Sequence, residues 1–416
     1  MVKIHTLNVE PPVVNASCAW ASDYEQLLEL YDSPYTGAVI TRTATFNGFS
    51  EDASNTVAFA KETVTSVNSY GYSPHPLSTY LDWVYTLLTT PCLDGSPPTK
   101  PIIISITAST PTVLTEMVEN IQTLRKKLRA ANSAGASTST SNILFAPNID
   151  PATLVGIELN TSCPNIKDAP PPSYTFPLLL PLLDVLSSAF YADPSLTIGL
   201  KLPPYLYATR FAEAVRFLHT YTREIRPAVF MNGNSHQLTE ADGNPMRSLN
   251  PFAYLASTNT LGNCLLFSEQ AFRDPADFNQ GPEASSDGML TDDFDARGPS
   301  PSPPLSSPGS STSSTPPPQP PSPSTMPSPF ALPPALGGMG GESIHPISLG
   351  NVYTFARMLA AHPDPAMRRI RVIGIGGVTS AAAAARMRAA GASVVGCATL
   401  LGREGVRAFE IIAGHS

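Results

Sequence analysis

The 416-residue sequence is poor in charge, in cysteine and in long apolar runs. Charged residues make up 14%, and 25 basic residues face 33 acidic ones, for a net charge of −8. A general nucleic-acid binder needs a basic face to displace phosphate counterions, so that class is set aside. Five cysteines, at 18, 92, 163, 264 and 397, are odd in number and unclustered. This speaks against a disulfide framework or a zinc site and for a reducing compartment. His75 lies in a Ser-Pro-His-Pro turn and His345 precedes Pro346. Neither has metal-ligand spacing; both read as surface or satisfied residues, and no metal site is expected. The most apolar stretch, 176–183, is broken by Pro177 and Pro181 and followed by Asp184, whereas a membrane span needs about 20 apolar residues. The N-terminus has neither an uninterrupted apolar signal core nor an Arg-rich presequence. The chain reads as cytoplasmic, without a membrane partner.

Proline, by contrast, is abundant: 44 residues, roughly twice ordinary usage. Between 297 and 334, 15 of 38 residues are Pro and 11 are Ser, with Arg297 the only charge. Such a segment buries too little apolar surface to offset its ordering entropy, and reads as a disordered, partly polyproline-II insertion. PxxP matches inside it arise from composition alone and identify no SH3- or WW-type partner.

The rest alternates apolar strands with helical stretches. Strand runs are Ala38-Val-Ile-Thr-Arg42, Pro101-Ile-Ile-Ile-Ser-Ile106, Gly156-Ile-Glu-Leu-Asn160, Thr197-Ile-Gly-Leu-Lys201, Phe252-Ala-Tyr-Leu-Ala256, Val372-Ile-Gly-Ile-Gly376 and Ala392-Ser-Val-Val-Gly396. An eighth is expected at Thr63-Val-Thr-Ser-Val67, with helices at 24–31, 113–131, 208–222, 351–361 and 380–390. Continuous apolar strands separated by helices indicate a parallel sheet covered on both faces. Polar groups cluster at the strand C-termini: Arg42, Asn68, Asn160, Lys201 and Asn259. In a doubly wound sheet only the switch point would gather them, but in an α/β (β/α)8 TIM barrel all converge on one face. The barrel is the expected fold.

Four constellations could carry chemistry. Asn160-Thr-Ser-Cys-Pro-Asn165 places Cys163 on a loop after a strand, where an accessible thiolate can act as base or nucleophile. The flanking asparagines offer amide donors and acceptors suited to a planar polar heterocycle. The alternative is an ordinary loop cysteine among turn formers. Gly374-Ile-Gly-Gly377, followed by a helix that Ser380 starts, and Gly396-Cys-Ala-Thr399 resemble two halves of a phosphate cradle in late barrel loops. Leu336-Gly-Gly-Met-Gly-Gly341 allows close backbone approach to a ligand, or is the flexible end of the insertion. Lys201, ending a buried strand, needs negative charge nearby, from a ligand such as a reduced flavin or from a structural ion pair.

With these residues in hand, the chain resembles the dihydroorotate dehydrogenases of the soluble class 1A type, and among them fungal relatives. Asn15-Ala-Ser17 is similar to the family's early Asn-Ala-Ser-Gly turn. Ile40-Thr-Arg-Thr-Ala-Thr45, Asn68-Ser-Tyr-Gly-Tyr72, Asn160-Thr-Ser-Cys-Pro-Asn165, Lys201-Leu-Pro-Pro-Tyr205 and Asn259-Thr-Leu-Gly-Asn263 follow in the family's order. Gly337-Gly-Met-Gly-Gly341, Ile373-Gly-Ile-Gly-Gly377 and Ala398-Thr399 resemble the FMN-phosphate end. Residues 219–250 and 268–335 lack counterparts. The resemblance thus divides the chain into a first barrel part (1–267), a low-complexity insertion (268–335) and a last part (336–416) with the FMN-phosphate site.

The resemblance implies an FMN barrel that oxidises dihydroorotate to orotate in pyrimidine biosynthesis. Cys163 would be the base, hydride would pass from C6 to flavin N5, and fumarate would be the acceptor, in a homodimer. It implies Lys201 beside the flavin N1/O2 edge. Substrate contacts would come from Arg42, Asn68, Tyr70, Gly71, Tyr72, Asn160, Asn165, Asn259 and Thr260. Cofactor contacts would come from Ala16, Ser17, Arg42, Thr43, Asn160, Lys201, Thr258, Gly341, Gly376, Gly377, Ala398 and Thr399. Four features depart from the family pattern: Arg42 for a lysine, Cys18 for a glycine, His345 for a lysine, and an end at Ser416 before the usual last helices. The first leaves open a related FMN oxidoreductase with a different cyclic substrate, and the departures together leave open an inactive barrel serving as a scaffold.

Overall fold

The computed structural model describes residues 1–92, 94–137, 145, 149–166, 171–225, 247–272 and 328–415. Eight parallel strands run β1 (Val13–Asn15), β2 (Val39–Ile40), β3 (Ile102–Ile106), β4 (Val155–Asn160), β5 (Thr197–Leu202), β6 (Phe252–Ser257), β7 (Arg371–Ile375) and β8 (Val394–Cys397). Each pairs with its neighbour in chain order from β2 through β8, and β8 returns to β1. A parallel bridge from Val14 to Ala38 joins β1 to the start of β2. Gly37 permits that approach, because a Cβ there would lie 2.0 Å from the Pro11 carbonyl oxygen. The result is the (β/α)8 barrel expected from the alternation.

The strands are buried on both faces, yet their residues still divide by twos. Ile102, Ile104 and Ile106 of β3, Ile157 and Leu159 of β4, and Leu200 and Leu202 of β5 face the helical layer. Ile103, Tyr254, Ile373 and Val394 fill the barrel with Ile4, Leu7 and Val9. The last three come from an N-terminal antiparallel hairpin, Val2–Ile4 with Leu7–Val9. Gly199 is where the Tyr254 ring seats, since a Cβ there would be 2.0 Å from it.

The covering helices are α1 (Tyr24–Asp32), α2 (Leu77–Thr89), α3 (Pro111–Ser137), α4 (Leu180–Ala192), α5 (Ala208–His219), α6 (His345–Ala360), α7 (Ala381–Ala389) and α8 (Arg407–Ala413). Helix α4 begins inside the proline-broken apolar stretch, with Pro181 in its first turn, where a missing N–H costs nothing. Among the described residues no helix is long and apolar enough to cross a membrane.

One strand expectation is corrected. Thr65–Asn68 is not a barrel stave; it pairs antiparallel with Leu336–Gly341 and Val57–Phe59. With Leu261–Leu265 these strands form a separate four-stranded sheet, a canopy over the C-terminal mouth. The first stave is instead Val13–Asn15, whose three residues are too short to show periodicity. The glycine run is itself a canopy strand. Glycine is required there, as a Cβ on Gly337 would come within 2.5 Å of the Asn68 carbonyl oxygen.

Residues 226–246 and 273–327, the bulk of the two stretches without counterparts, lie outside the described residues. Their flanks are built in. Arg223–Ile225 pairs with Arg247–Leu249, and the Ser268 N–H donates to the Pro329 carbonyl at 2.8 Å.

Candidate active site

Between the barrel mouth and the canopy lies an open cavity. Every site residue named from the sequence lines it except Tyr72. The Tyr72 ring instead packs edge-on to Phe49 at 5.8 Å. Ser66, Trp20, Ile344, Thr379 and Leu400 line the cavity too, without having been singled out. Ser66 was hidden in the misassigned strand; its hydroxyl lies 3.0 Å from that of Thr399.

The cavity floor is made by inward positions of neighbouring strands. Asn160 of β4 and Lys201 of β5 are register partners. Asn160 Nδ2 donates to Thr43 Oγ1 at 3.0 Å, and Thr43 is within 2.9 Å of Ser17 Oγ and 3.0 Å of Ser105 Oγ. Lys201 is 5% exposed, and its Nζ donates to the Ser17 carbonyl at 2.9 Å. Glu158, two residues before Asn160 and so on the same face, is fully buried. Burial pushes its carboxyl pKa up, against the pull of Lys201 and of hydrogen bonds from Tyr254 and Ser105. Its Oε1 has no hydrogen-bond partner.

The Cys163 loop forms one wall. Pro164 seats against the canopy where Gly262 leaves room, since a Cβ there would be 2.7 Å from the proline ring. Asn165 Nδ2 donates to the carbonyls of Asn68 (3.0 Å) and Tyr70 (2.9 Å) and to Asn68 Oδ1 (3.1 Å). Asn259 Nδ2 donates to Ser162 Oγ (3.0 Å) and Asn160 Oδ1 (3.3 Å). Burial pushes the Cys163 thiol above its ordinary pKa; the Asn165 backbone, Lys201 and Arg42 pull the other way. Cys18 lines the cavity as well, its thiol pushed up to about 11 by burial.

The far end is built of backbone. Gly376 (φ 119°) and Gly377 (φ 68°) follow β7, and Ser380 Oγ accepts from Ala383 N at the start of α7. Gly340 and Gly341 approach from the canopy, and Ala398 and Thr399 from the end of β8. A Cβ on Gly340 would stand 2.9 Å from Thr399 Oγ1, and one on Gly377 would stand 2.5 Å from His345 Cβ. Such a glycine-lined rim beside a helix start suits an anionic group. His345 is buried; its Nδ1 lies 2.8 Å from the Gly376 carbonyl, and Arg386 Nε donates to its Nε2. It is satisfied rather than exposed.

A thiol, two cations and a glycine cradle thus share one cavity on one barrel face. The Dihydroorotate dehydrogenase family profile matches residues 326–415, the portion holding the cradle. Over nearly the whole chain the sequence is similar to proteins named for the same activity. A dihydroorotate dehydrogenase A (fumarate) of Streptococcus uberis is 23% identical over 410 residues, covering 99% of this chain and 89% of the relative. A dihydroorotate dehydrogenase (fumarate) of Saccharomyces mikatae is 24% identical over 403 residues, covering 97% and 87%. The chain is thus similar to dihydroorotate dehydrogenases along nearly its whole length. One cavity wall is formed at Arg42, whose guanidinium pairs with Glu51 and lies 5.4 Å from the Tyr70 ring centroid.

Proposed function

We propose that the chain is an FMN-dependent oxidoreductase that converts dihydroorotate to orotate, with fumarate as electron acceptor. The observation that carries this is the convergence of Cys163, Lys201 and the glycine cradle on one cavity. The names of the relatives support the substrate and the acceptor. The cradle fits a flavin phosphate, because side chains at Gly340, Gly341 or Gly377 would fill the space next to Thr399, Val64 and His345. Ala16, Ser17 and Thr43 would flank the ring system. FMN, when bound, supplies a two-electron acceptor for the hydride leaving C6 of the substrate.

The chain's own residues do the rest. The Cys163 thiolate takes the proton from C5, and the thiol so formed has the Tyr70 carbonyl within reach of its Sγ, at 4.0 Å. Asn68, Asn160, Asn165 and Asn259 exchange their mutual hydrogen bonds for bonds to the ring amides and carbonyls of a planar pyrimidine. Lys201, in the cavity floor, would lie beside a bound flavin and offer its ammonium to negative charge that develops there, a preorganised electrostatic contribution. A cytoplasmic homodimer acting in pyrimidine biosynthesis completes the proposal, on the strength of the class 1A resemblance.

The test is an anaerobic titration of the purified full chain. The protein should be yellow, and dihydroorotate should bleach the flavin absorbance to a stoichiometric end point. A chain that neither retains nor takes up FMN overturns the proposal. The engagement of Arg42 by Glu51 favours one second reading, a different cyclic substrate. Bleaching by another cyclic imide but not by dihydroorotate would select it.

A further inference from the structure

Arg42 is 6% exposed and gripped from three sides. Its Nη2 pairs with Glu51 Oε1 and its Nη1 lies 3.4 Å from Glu51 Oε2, so the contact is forked. Nη1 also donates to Ser22 Oγ at 3.2 Å. The third side is the Tyr70 ring. A planar guanidinium can fork and stack at once; an ammonium cannot.

Glu51 does not line the cavity. It sits in segment 47–56, which joins β2 to the canopy and is fastened to the substrate-side loop 68–73. Phe49 N donates to the Ser73 carbonyl at 2.8 Å. Asn55 Nδ2 donates to the Ser69 carbonyl at 3.0 Å, and Ser69 Oγ lies 3.0 Å from Thr56 N. The Phe49 ring covers Gly71, where a Cβ would lie 2.3 Å from it. Loop 68–73 carries Asn68 and Tyr70, and both line the cavity. The outer segment and the inner loop are therefore joined to each other, and the Glu51–Arg42 pair ties them to the barrel wall.

We propose that Glu51 is a positioning residue, a clamp that acts through Arg42 to hold segment 47–56 and loop 68–73 closed on the substrate side of the cavity. The inference rests on the reading of this cavity as a dihydroorotate site, and it deepens that reading. A guanidinium at position 42 can make the forked pair that locks this wall.

The test compares the full-length FMN-loaded chain with Glu51→Ala, Glu51→Gln and Arg42→Lys. Glu51→Ala should raise KM for dihydroorotate about fivefold to tenfold, the scale of one ordinary hydrogen bond lost, with kcat within about twofold. Glu51→Gln, which keeps an acceptor for the guanidinium, should recover most of the loss. Arg42→Lys, which keeps the charge but not the fork, should behave as Glu51→Ala does. A second readout needs no turnover: chymotryptic cleavage after Phe49, followed by mass spectrometry, should be faster in Glu51→Ala and near parental in Glu51→Gln. An unchanged KM in Glu51→Ala, a kcat that falls in step with it, or unchanged cleavage at Phe49 overturns the clamp. If the parent does not oxidise dihydroorotate, the functional reading fails by itself, and the cleavage comparison still decides the clamp.

Discussion

The Cys163 sulfur stands 4.0 Å from the main-chain oxygen of Tyr70, although the two residues belong to different structural units. Cys163 follows barrel strand β4, whereas Tyr70 follows a canopy strand. The proposed base and the loop facing it are thus brought together by the seating of the canopy on the barrel, with Pro164 as the contact against Gly262.

Removing the thiol separates chemistry from binding. Cys163→Ala should slow flavin reduction by dihydroorotate by about 10² to 10⁴, the usual contribution of a positioned general base. FMN content should stay parental, because the cradle is built elsewhere. Stopped-flow mixing under argon measures the rate; a parental rate would remove Cys163 from the mechanism.

The pH dependence follows from burial. The base is the deprotonated form, and burial raises the thiol pKa, so the reduction rate should climb with pH and keep climbing beyond the range of an exposed thiol. Lys201 and Arg42 pull the other way. Removing the Arg42 charge should therefore shift the limb to still higher pH. Reduction rates across the alkaline range check this, and a profile that falls with rising pH contradicts it.

Lys201→Met keeps the stem and removes the charge. The reduced flavin then loses its cation, so the midpoint potential should become more negative and reduction should slow by about 10² to 10³. Spectroelectrochemical titration reads the potential without any turnover. A potential equal to the parent's would assign Lys201 a purely structural part through its bond to Ser17.

Gly377→Ala tests the cradle. The position has φ 68°, and a methyl there would meet His345 Cβ at 2.5 Å and the Gly341 oxygen at 2.9 Å. FMN affinity should weaken by about tenfold or more. Flavin fluorescence recovered on dilution measures it.

Much of this architecture was legible in the sequence because burial on both faces leaves a strong signal. Ile102–Ile106 and Thr197–Leu202 are long enough to show apolar runs, the second carrying Lys201 near its end. Val13–Asn15 and Val39–Ile40 are only three and two residues long, and Val13–Asn15 went unread. Thr65–Asn68 misled because a β-branched run looks the same in a barrel and in a canopy; its partner, the glycine strand, carries no side-chain pattern at all. Most cavity-lining residues lie in the short motifs at strand ends, which is why they could be named from the sequence. Glu51 could not be read, since nothing local marks a glutamate whose partner is set by the fold.

The canopy also governs what the chain can tolerate. Leu265 and Leu336 are register partners, and Ser268 and Pro329 are joined just beyond them. The described chain thus stops at Phe272 and resumes at Ser328 beside a pair of canopy ends already joined by hydrogen bonds. Ring-closure entropy grows only with the logarithm of length, so the number of residues between those two ends bears little on the stability of the chamber beneath. The roof is where this scaffold has freedom to acquire new sequence.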